Sequence, residues 1–268
     1  MVLLFGACLL PGACSSPAFK SVNAVGGNSS TGGAAADGSV PEDAVPRSGL
    51  LMWLRADRGV TQDLGAVATW ADQSPNHTDA IQTATNARPV LASSGIGGLP
   101  VLKFDGIDDF LKLPPGFADF SQGLSMFAVV RENPVDTCVE VMEFSNGSEI
   151  DDISLGQYQN QMTYEVLNND QSGDNGFPTG VPQLLSVVHR TDLTLEMHRN
   201  SMLAATGSFD LPDNIVRQQN FIGQTLYSGC AFFPGQIGEL LVYNRAVSDV
   251  ELLKIEMYLR NRWACCSN

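Results

Sequence analysis

Between Gly97 and Gly116 hydrophobic and polar positions alternate with a period of two. Leu102 and Phe104 fall on one face with Lys103 opposite. After the turn Asp105-Gly106-Ile107-Asp108-Asp109, Leu111 and Leu113 share a face with Lys112 opposite. The pattern predicts two short strands, over 99–104 and 110–113, joined as a hairpin with one wet and one apolar face. Gly106 supplies the positive φ of a tight reversal, and aspartates suit such turns by bonding their own backbone. Pro114 and Pro115 end the second strand, because proline has no N–H to give a ladder. An apolar face of this size requires cover, so a second sheet is expected.

The same reading predicts strands over 50–57, 67–70, 80–82, 124–131, 137–144, 153–158 and 162–167. A second hairpin is predicted over 184–190 and 193–199, with its turn at Thr191-Asp192, and further strands at 221–222 and 236–243. Many short strands with a turn roughly every 8 to 12 residues describe an all-β sandwich or barrel. One helix closes the chain. Ser248 and Glu251 form a capping box, Val247 staples onto Leu252, and Leu252, Ile255, Leu259 and Trp263 make one apolar stripe that packs on the sandwich.

A chain of 268 residues with 44% hydrophobic content is long enough for one large core. Lys and Arg number 15 against 29 Asp and Glu, for a net charge of −14. An acidic chain repels phosphate, so a nucleic-acid partner is excluded as a working hypothesis. Residues 1–14 are apolar, of signal-peptide length and too short to span a bilayer. Their end, Leu9-Leu10-Pro11-Gly12-Ala13-Cys14, resembles a bacterial lipoprotein signal, which implies export, lipid on Cys14 and a membrane tether. Residues 15–48 are small and polar and read as a flexible linker, leaving 49–268 as the folded domain.

Six cysteines stand at 8, 14, 138, 230, 265 and 266, with no zinc-type spacing to the three histidines. In an exported chain the last four allow two disulfides in three connectivities. Cys138 with Cys230 is preferred, because local strain disfavours joining the adjacent Cys265 and Cys266 to each other.

Four stretches resemble the laminin-G-like, concanavalin A-like jelly rolls of bacterial exported proteins: Leu51-Met52-Trp53-Leu54-Arg55-Ala56, Trp70-Ala71-Asp72-Gln73-Ser74, Phe104-Asp105-Gly106 with Asp108-Asp109, and Gly235 to Arg245 before the capped helix. The resemblance implies a concanavalin A-like jelly-roll sandwich of two antiparallel sheets with one C-terminal helix. It also implies ligands held on a sheet face or its rim loops, by lectins, adhesion modules, glucanases and lyases alike.

Within that frame Glu149-Ile150-Asp151-Asp152-Ile153-Ser154 resembles the active-site strand of jelly-roll glucanases, with Glu149 and Asp151 sharing a face. Ser154 stands where that family places its acid, and a serine does not protonate a leaving glycoside. Asp151 and Asp152 match the acidic pair that pentraxin-like jelly rolls use for Ca2+, although Thr225-Leu226-Tyr227 brings no carboxylate to complete it. Asp105, Asp108 and Asp109 read as turn residues, and His189 and His198 as surface or edge residues. Tyr158, Tyr164 and Tyr227, with Asn168, Asn169 and Asp170, have the composition of a sugar platform: stacking rings and planar hydrogen bonders. The functional expectation is a non-catalytic binding or adhesion module outside the cell, recognising carbohydrate or a cell-surface protein. Two alternatives remain: a glycan-active enzyme of the same fold, and a structural envelope protein that docks only to protein.

Overall fold

The structure is a computed structural model that describes residues 42–166, 169–175 and 178–266. In chain order the strands are Leu50–Arg55 (β1), Val60–Asp63 (β2), Ala66–Trp70 (β3), Ala80–Ile81 (β4), Val90–Ala92 (β5) and Val101–Asp105 (β6). Next come Leu111–Leu113 (β7), Leu124–Glu132 (β8), Val139–Ser145 (β9), Ile153–Tyr158 (β10), Gln161–Val166 (β11) and Asn169–Asn175 (β12). The last are Gln183–His189 (β13), Thr194–Arg199 (β14), Met202–Ser208 (β15), Gln219–Ile222 (β16) and Pro234–Tyr243 (β17), before the helix Asp249–Arg262 (α1).

They form two antiparallel sheets, as the periodicity predicts. One has eight strands in the order β15-β14-β13-β8-β17-β6-β5, with β1 also pairing β17; the other has nine, β12-β11-β10-β9-β16-β7-β4-β3-β2. Leu102, Phe104, Met126, Val130, Met142, Phe144, Leu155, Tyr164 and Ile222 are all fully buried in the core cluster. Phe117 stacks on Phe144 at 3.9 Å between ring centroids, and Phe104 meets Phe233 edge-on at 6.0 Å.

The helix lies against β17 and β1. α1 starts at the expected capping box: the Glu251 N–H donates to Ser248 Oγ at 3.3 Å, and the Ser248 N–H donates to Glu251 Oε2 at 2.9 Å. Its stripe of Leu252, Ile255, Tyr258, Leu259 and Trp263 is buried. The Trp263 ring lies where a Cβ on Gly238 would stand 2.7 Å from it, so β17 needs glycine there. Beneath the helix Glu239 is fully buried, and Trp53 Nε1 (2.6 Å), Trp263 Nε1 (2.7 Å) and the Tyr258 hydroxyl (3.1 Å) all donate to it.

Several expectations change. The strands on either side of Asp105–Asp109 do not pair with each other: β6 joins β17 and β5, while β7 joins β16 and β4. The turn is an arch from one sheet to the other. Asp105 Oδ1 accepts from the N–H groups of Ile107 (2.8 Å) and Asp108 (3.3 Å), and Asp109 Oδ2 accepts from the Asp105 N–H at 2.9 Å. Its apolar residues still face inward. The second hairpin, β13 with β14, stands as predicted. His189 is not a surface residue: it is fully buried, with Nε2 3.0 Å from the Phe209 carbonyl and Nδ1 3.2 Å from the Tyr164 hydroxyl.

Residues 42–48, within the stretch read as linker, pack onto the fold. Val45 is buried, Glu42 pairs with Arg55, and Arg47 lies 4.4 Å from the Trp53 ring centroid. Cys138 and Cys230 are joined. Cys265 and Cys266 are joined as well, against expectation, with the chain at Ala264 and Cys266 in the left-handed region (φ 42° and 64°). The export signal and Cys14 lie outside the described residues. Among the described residues, no helix is long and apolar enough to cross a membrane.

Candidate functional site

The solvent face of β9, β10 and β11 carries a groove of about 530 Å³, within the usual range of ligand sites. Its floor follows from strand parity. On β11, Met162, Tyr164 and Val166 point into the core, so Thr163 and Glu165 point out; on β10, Ile153 and Leu155 point in, so Ser154 and Gly156 point out. β9 breaks strict parity. Leu155 faces Met142 but Gly156 faces Glu140, leaving Val141 as the extra residue of a bulge. The bulge puts Glu140 and Glu143, three residues apart, on the same face.

Pairing then aligns two rows. Ser154 sits opposite Glu143 on one side and Glu165 on the other; Gly156 sits opposite Glu140 and Thr163. Gly156 is required in the second row, since a Cβ would run into the Val139 carbonyl oxygen and Glu140 Oε2. Asp152 and Glu149 complete the acidic lining.

The groove wall comes from the segment before β17. The Cys138–Cys230 disulfide, the Ala231 N–H bond to the Cys138 carbonyl (2.9 Å) and the Thr137 Oγ1 bond to the Gly229 carbonyl (2.8 Å) fasten that segment to the start of β9. There Tyr227 is 48% exposed, and its ring lies so close that a Cβ on Gly229 would stand 2.7 Å from it. Tyr158, 46% exposed at the end of β10, lines the same groove.

Burial shapes the electrostatics. It raises the Glu140 carboxyl well above the usual range, reinforced by the neighbouring carboxylates of Glu143 and Glu165. Glu143 is raised by burial against bonds from Thr225, Ser145 (3.0 Å) and the Leu226 N–H (3.3 Å). Asp152 is raised by burial too. Glu140 Oε2, Asp152 Oδ1 and Thr163 Oγ1 are buried with no hydrogen-bond partner. Among the described residues, neither lysine, arginine nor histidine lines the groove.

The predicted site residues divide. Tyr158 and Tyr227 come together on the groove. Tyr164 does not belong to it: strand parity turns its ring into the core against Phe209 (6.0 Å), where it is fully buried. Asn169 and Asp170 lie on β12, opposite Val166 and Glu165, and Asn168 lies outside the described residues. Asp151 and Asp152 do not converge. Asp151 Oδ2 accepts from Asn146 Nδ2 at 2.9 Å and its carbonyl takes Arg217 Nε at 2.5 Å, whereas Asp152 turns to the groove.

With Asp151 so engaged, a buried guanidinium beside both, and no carboxylate from 225–227, the pair does not fit Ca2+, which needs six to eight oxygens. Glu149 and Asp151 likewise share no face, because Asp151 is absent from the groove. Among the described residues the one group of three acidic side chains close enough to share an ion is Asp105, Asp108 and Asp109, and its oxygens serve the arch. Sequence reading missed Glu140, Glu143 and Glu165. Their signal was two glutamates inside the apolar run Val139-Glu140-Val141-Met142-Glu143-Phe144.

No protein-family model and no curated protein matches the chain. Solved structures do. Domain 4 of AbnA, an extracellular GH43 arabinanase from Geobacillus stearothermophilus solved with arabinotriose, aligns with TM-score 0.56 and 16% identity over 78% of this chain and 100% of that domain. The binding domain of Paraclostridial Mosquitocidal Protein 1 aligns with TM-score 0.56 and 9% identity over 77% of this chain and 52% of that one. Trypanosoma rangeli sialidase aligns with TM-score 0.54 and 15% identity over 80% of this chain, which spans only 33% of the sialidase. At these identities the likeness establishes the β-sandwich fold and nothing finer.

Proposed function

We propose that this protein is an exported, non-catalytic carbohydrate-binding module of laminin-G-like type, with its ligand in the β9–β11 groove. The observation that carries the reading is a concavity with two half-exposed tyrosines at its rim and buried polar atoms without partners on its floor. A sugar ring offers an apolar face to a tyrosine and a fringe of hydroxyls to the floor. Two similar folds are named as parts of glycan-cleaving enzymes, one solved with arabinotriose, and two disulfides suit an oxidising compartment. Asn169 and Asp170, on the next strand, extend the polar surface in this reading, and the segment 1–14 supplies the export signal with lipid on Cys14.

The test is a glycan array with the full chain, with and without calcium, followed by affinities for Tyr158→Ala and Tyr227→Ala. Each truncation is expected to weaken binding roughly tenfold, the loss of about 1.4 kcal/mol of ring contact. Binding unaffected by both, or absent for every glycan, refutes the reading.

One observation favours a second reading, a glycan-active enzyme: Glu140 and Glu143 share the groove with raised carboxyls, as a general acid needs at neutral pH. New reducing ends or unsaturated uronates that disappear in Glu143→Gln would select it.

A further inference from the structure

The groove floor is acidic in a way that a neutral sugar leaves uncompensated. Glu140, Glu143, Asp152 and Glu165 surround Ser154, and the first three are each at least 93% buried, with 7%, 5% and 7% exposure. Among the described residues no lysine, arginine or histidine lines the groove; the Ser154 hydroxyl bonds the Glu140 carboxyl, and Glu165 bonds Asp152. Arg217, whose charge reaches Asp152, is fully buried and gives its N–H groups to the carbonyls of Asp151, Phe117, Asp213 and Ile215.

A second, independent observation points to a ligand. Glu140 Oε2, Asp152 Oδ1 and the hydroxyl oxygen of Thr163, a residue outside the acidic set, are buried and unpartnered on the floor. Such atoms cost free energy unless something binds them. Carboxylate oxygens are satisfied by donors, most strongly by charged ones. An anionic saccharide brings no charged donor to these oxygens, and a neutral one brings no charge that favours their ionised form.

We propose that the groove is specific for saccharides bearing a protonated amine, of glucosamine type, with the ammonium seated over Ser154 by Glu140 and Asp152. This rests on the groove being a sugar site. The ammonium donates to oxygens that lack partners, and its charge favours the ionised form of carboxyls that burial otherwise holds protonated. Gly156 keeps the Glu140 side of the floor open for it. Tyr158 and Tyr227 then hold the ring, which a bare cation has no use for. The choice runs opposite to sialic acid or uronate binding, for which a basic lining would be needed.

The test uses the full chain and three trimers in one buffer at about pH 6, where an amine is protonated: glucosamine, N-acetylglucosamine and galacturonate. Calorimetry should give at least a tenfold preference for the glucosamine trimer over its acetylated counterpart, and no heat from the galacturonate. Glu140→Gln and Asp152→Asn, each checked for an intact thermal transition, should cut that preference about tenfold without weakening the acetylated trimer. Equal affinity for the amine and its acetamide, with both lowered by Tyr227→Ala, overturns the ammonium assignment and leaves the sugar site standing. Binding of calcium or a free diamine as tightly as the glucosamine trimer also overturns it. No saccharide bound by the folded chain removes the site and the inference together.

Discussion

Replacing Glu132 with glutamine should stabilise the protein at neutral pH and do nothing, or slightly harm it, in acid. Glu132 ends β8 on the side of the strand that carries Met126, Ala128 and Val130; it is 1% exposed, and its Oε1 has no partner. Burial alone pushes its carboxyl from 4.5 to about 8. The sign follows from linkage. Below pH 4.5 the group is protonated whether the chain is folded or not, and it costs nothing. As pH rises, the unfolded chain ionises while the folded chain keeps its proton, so stability falls by about 1.4 kcal/mol per pH unit and levels off above about 8. At pH 7 the accumulated penalty is about 3 kcal/mol.

Glutamine cannot ionise, but its amide group inherits an unpartnered site at a cost of about 1 kcal/mol. The net gain is therefore about 2 kcal/mol at pH 7, a rise in Tm of roughly 4–8 °C for a domain of this size. The gain should vanish near about pH 5, where penalty and cost balance. Urea denaturation of wild type and Glu132→Gln at several pH values reads the difference directly, since every other titrating group cancels to first order. A difference that stays constant from acid to neutral pH would refute the assignment of a buried, titrating Glu132.

Other expectations are simpler. Replacing Cys138 and Cys230 together with serine opens a bridge spanning 92 residues and should cost about 4–5 kcal/mol, measured by chemical denaturation. A loss below about 1 kcal/mol would contradict this. Gly156→Ala drives a methyl group into the Val139 carbonyl oxygen and Glu140, and should cost about 2 kcal/mol while abolishing saccharide binding. An unchanged Tm with full affinity would mean that the bulge is more compliant than described.

Much of the fold was legible because its period-2 signal is local. Trp53, Phe104, Leu111 and Val242 sit in the core where alternation puts them, and the Ser248–Glu251 cap starts the helix where expected. The arch at Asp105–Asp109 was misread as a hairpin because local turn chemistry is the same whether a chain returns to its own sheet or crosses to the other. Strands such as Val60–Asp63 and Met202–Ser208 were missed since neither buries a residue fully, so hydrophobicity marks them poorly.

The site was less legible, for two reasons. Strict alternation separates positions 140 and 143, and only the bulge at Val141 unites them, a feature of pairing that one strand does not encode. Glu165 arrives from a different strand through register. Tyr164 was misread as part of the platform although the signal was there: in Met162-Thr163-Tyr164-Glu165-Val166 its parity is that of the apolar residues, which assigns it to the core.

The central claim is that a saccharide sits on the solvent face of β9–β11, and chemical-shift mapping with a bound oligosaccharide tests it most directly. The amide signals of Glu143, Ser154 and Thr163 and the ring signals of Tyr158 and Tyr227 should move together on titration. Those of Val250, Leu253 and Met257, which line a separate hollow of about 810 Å³ beside α1, should stay in place. Shifts confined to that hollow or to the outer face of the eight-stranded sheet, with the five groove residues unmoved, would contradict the account.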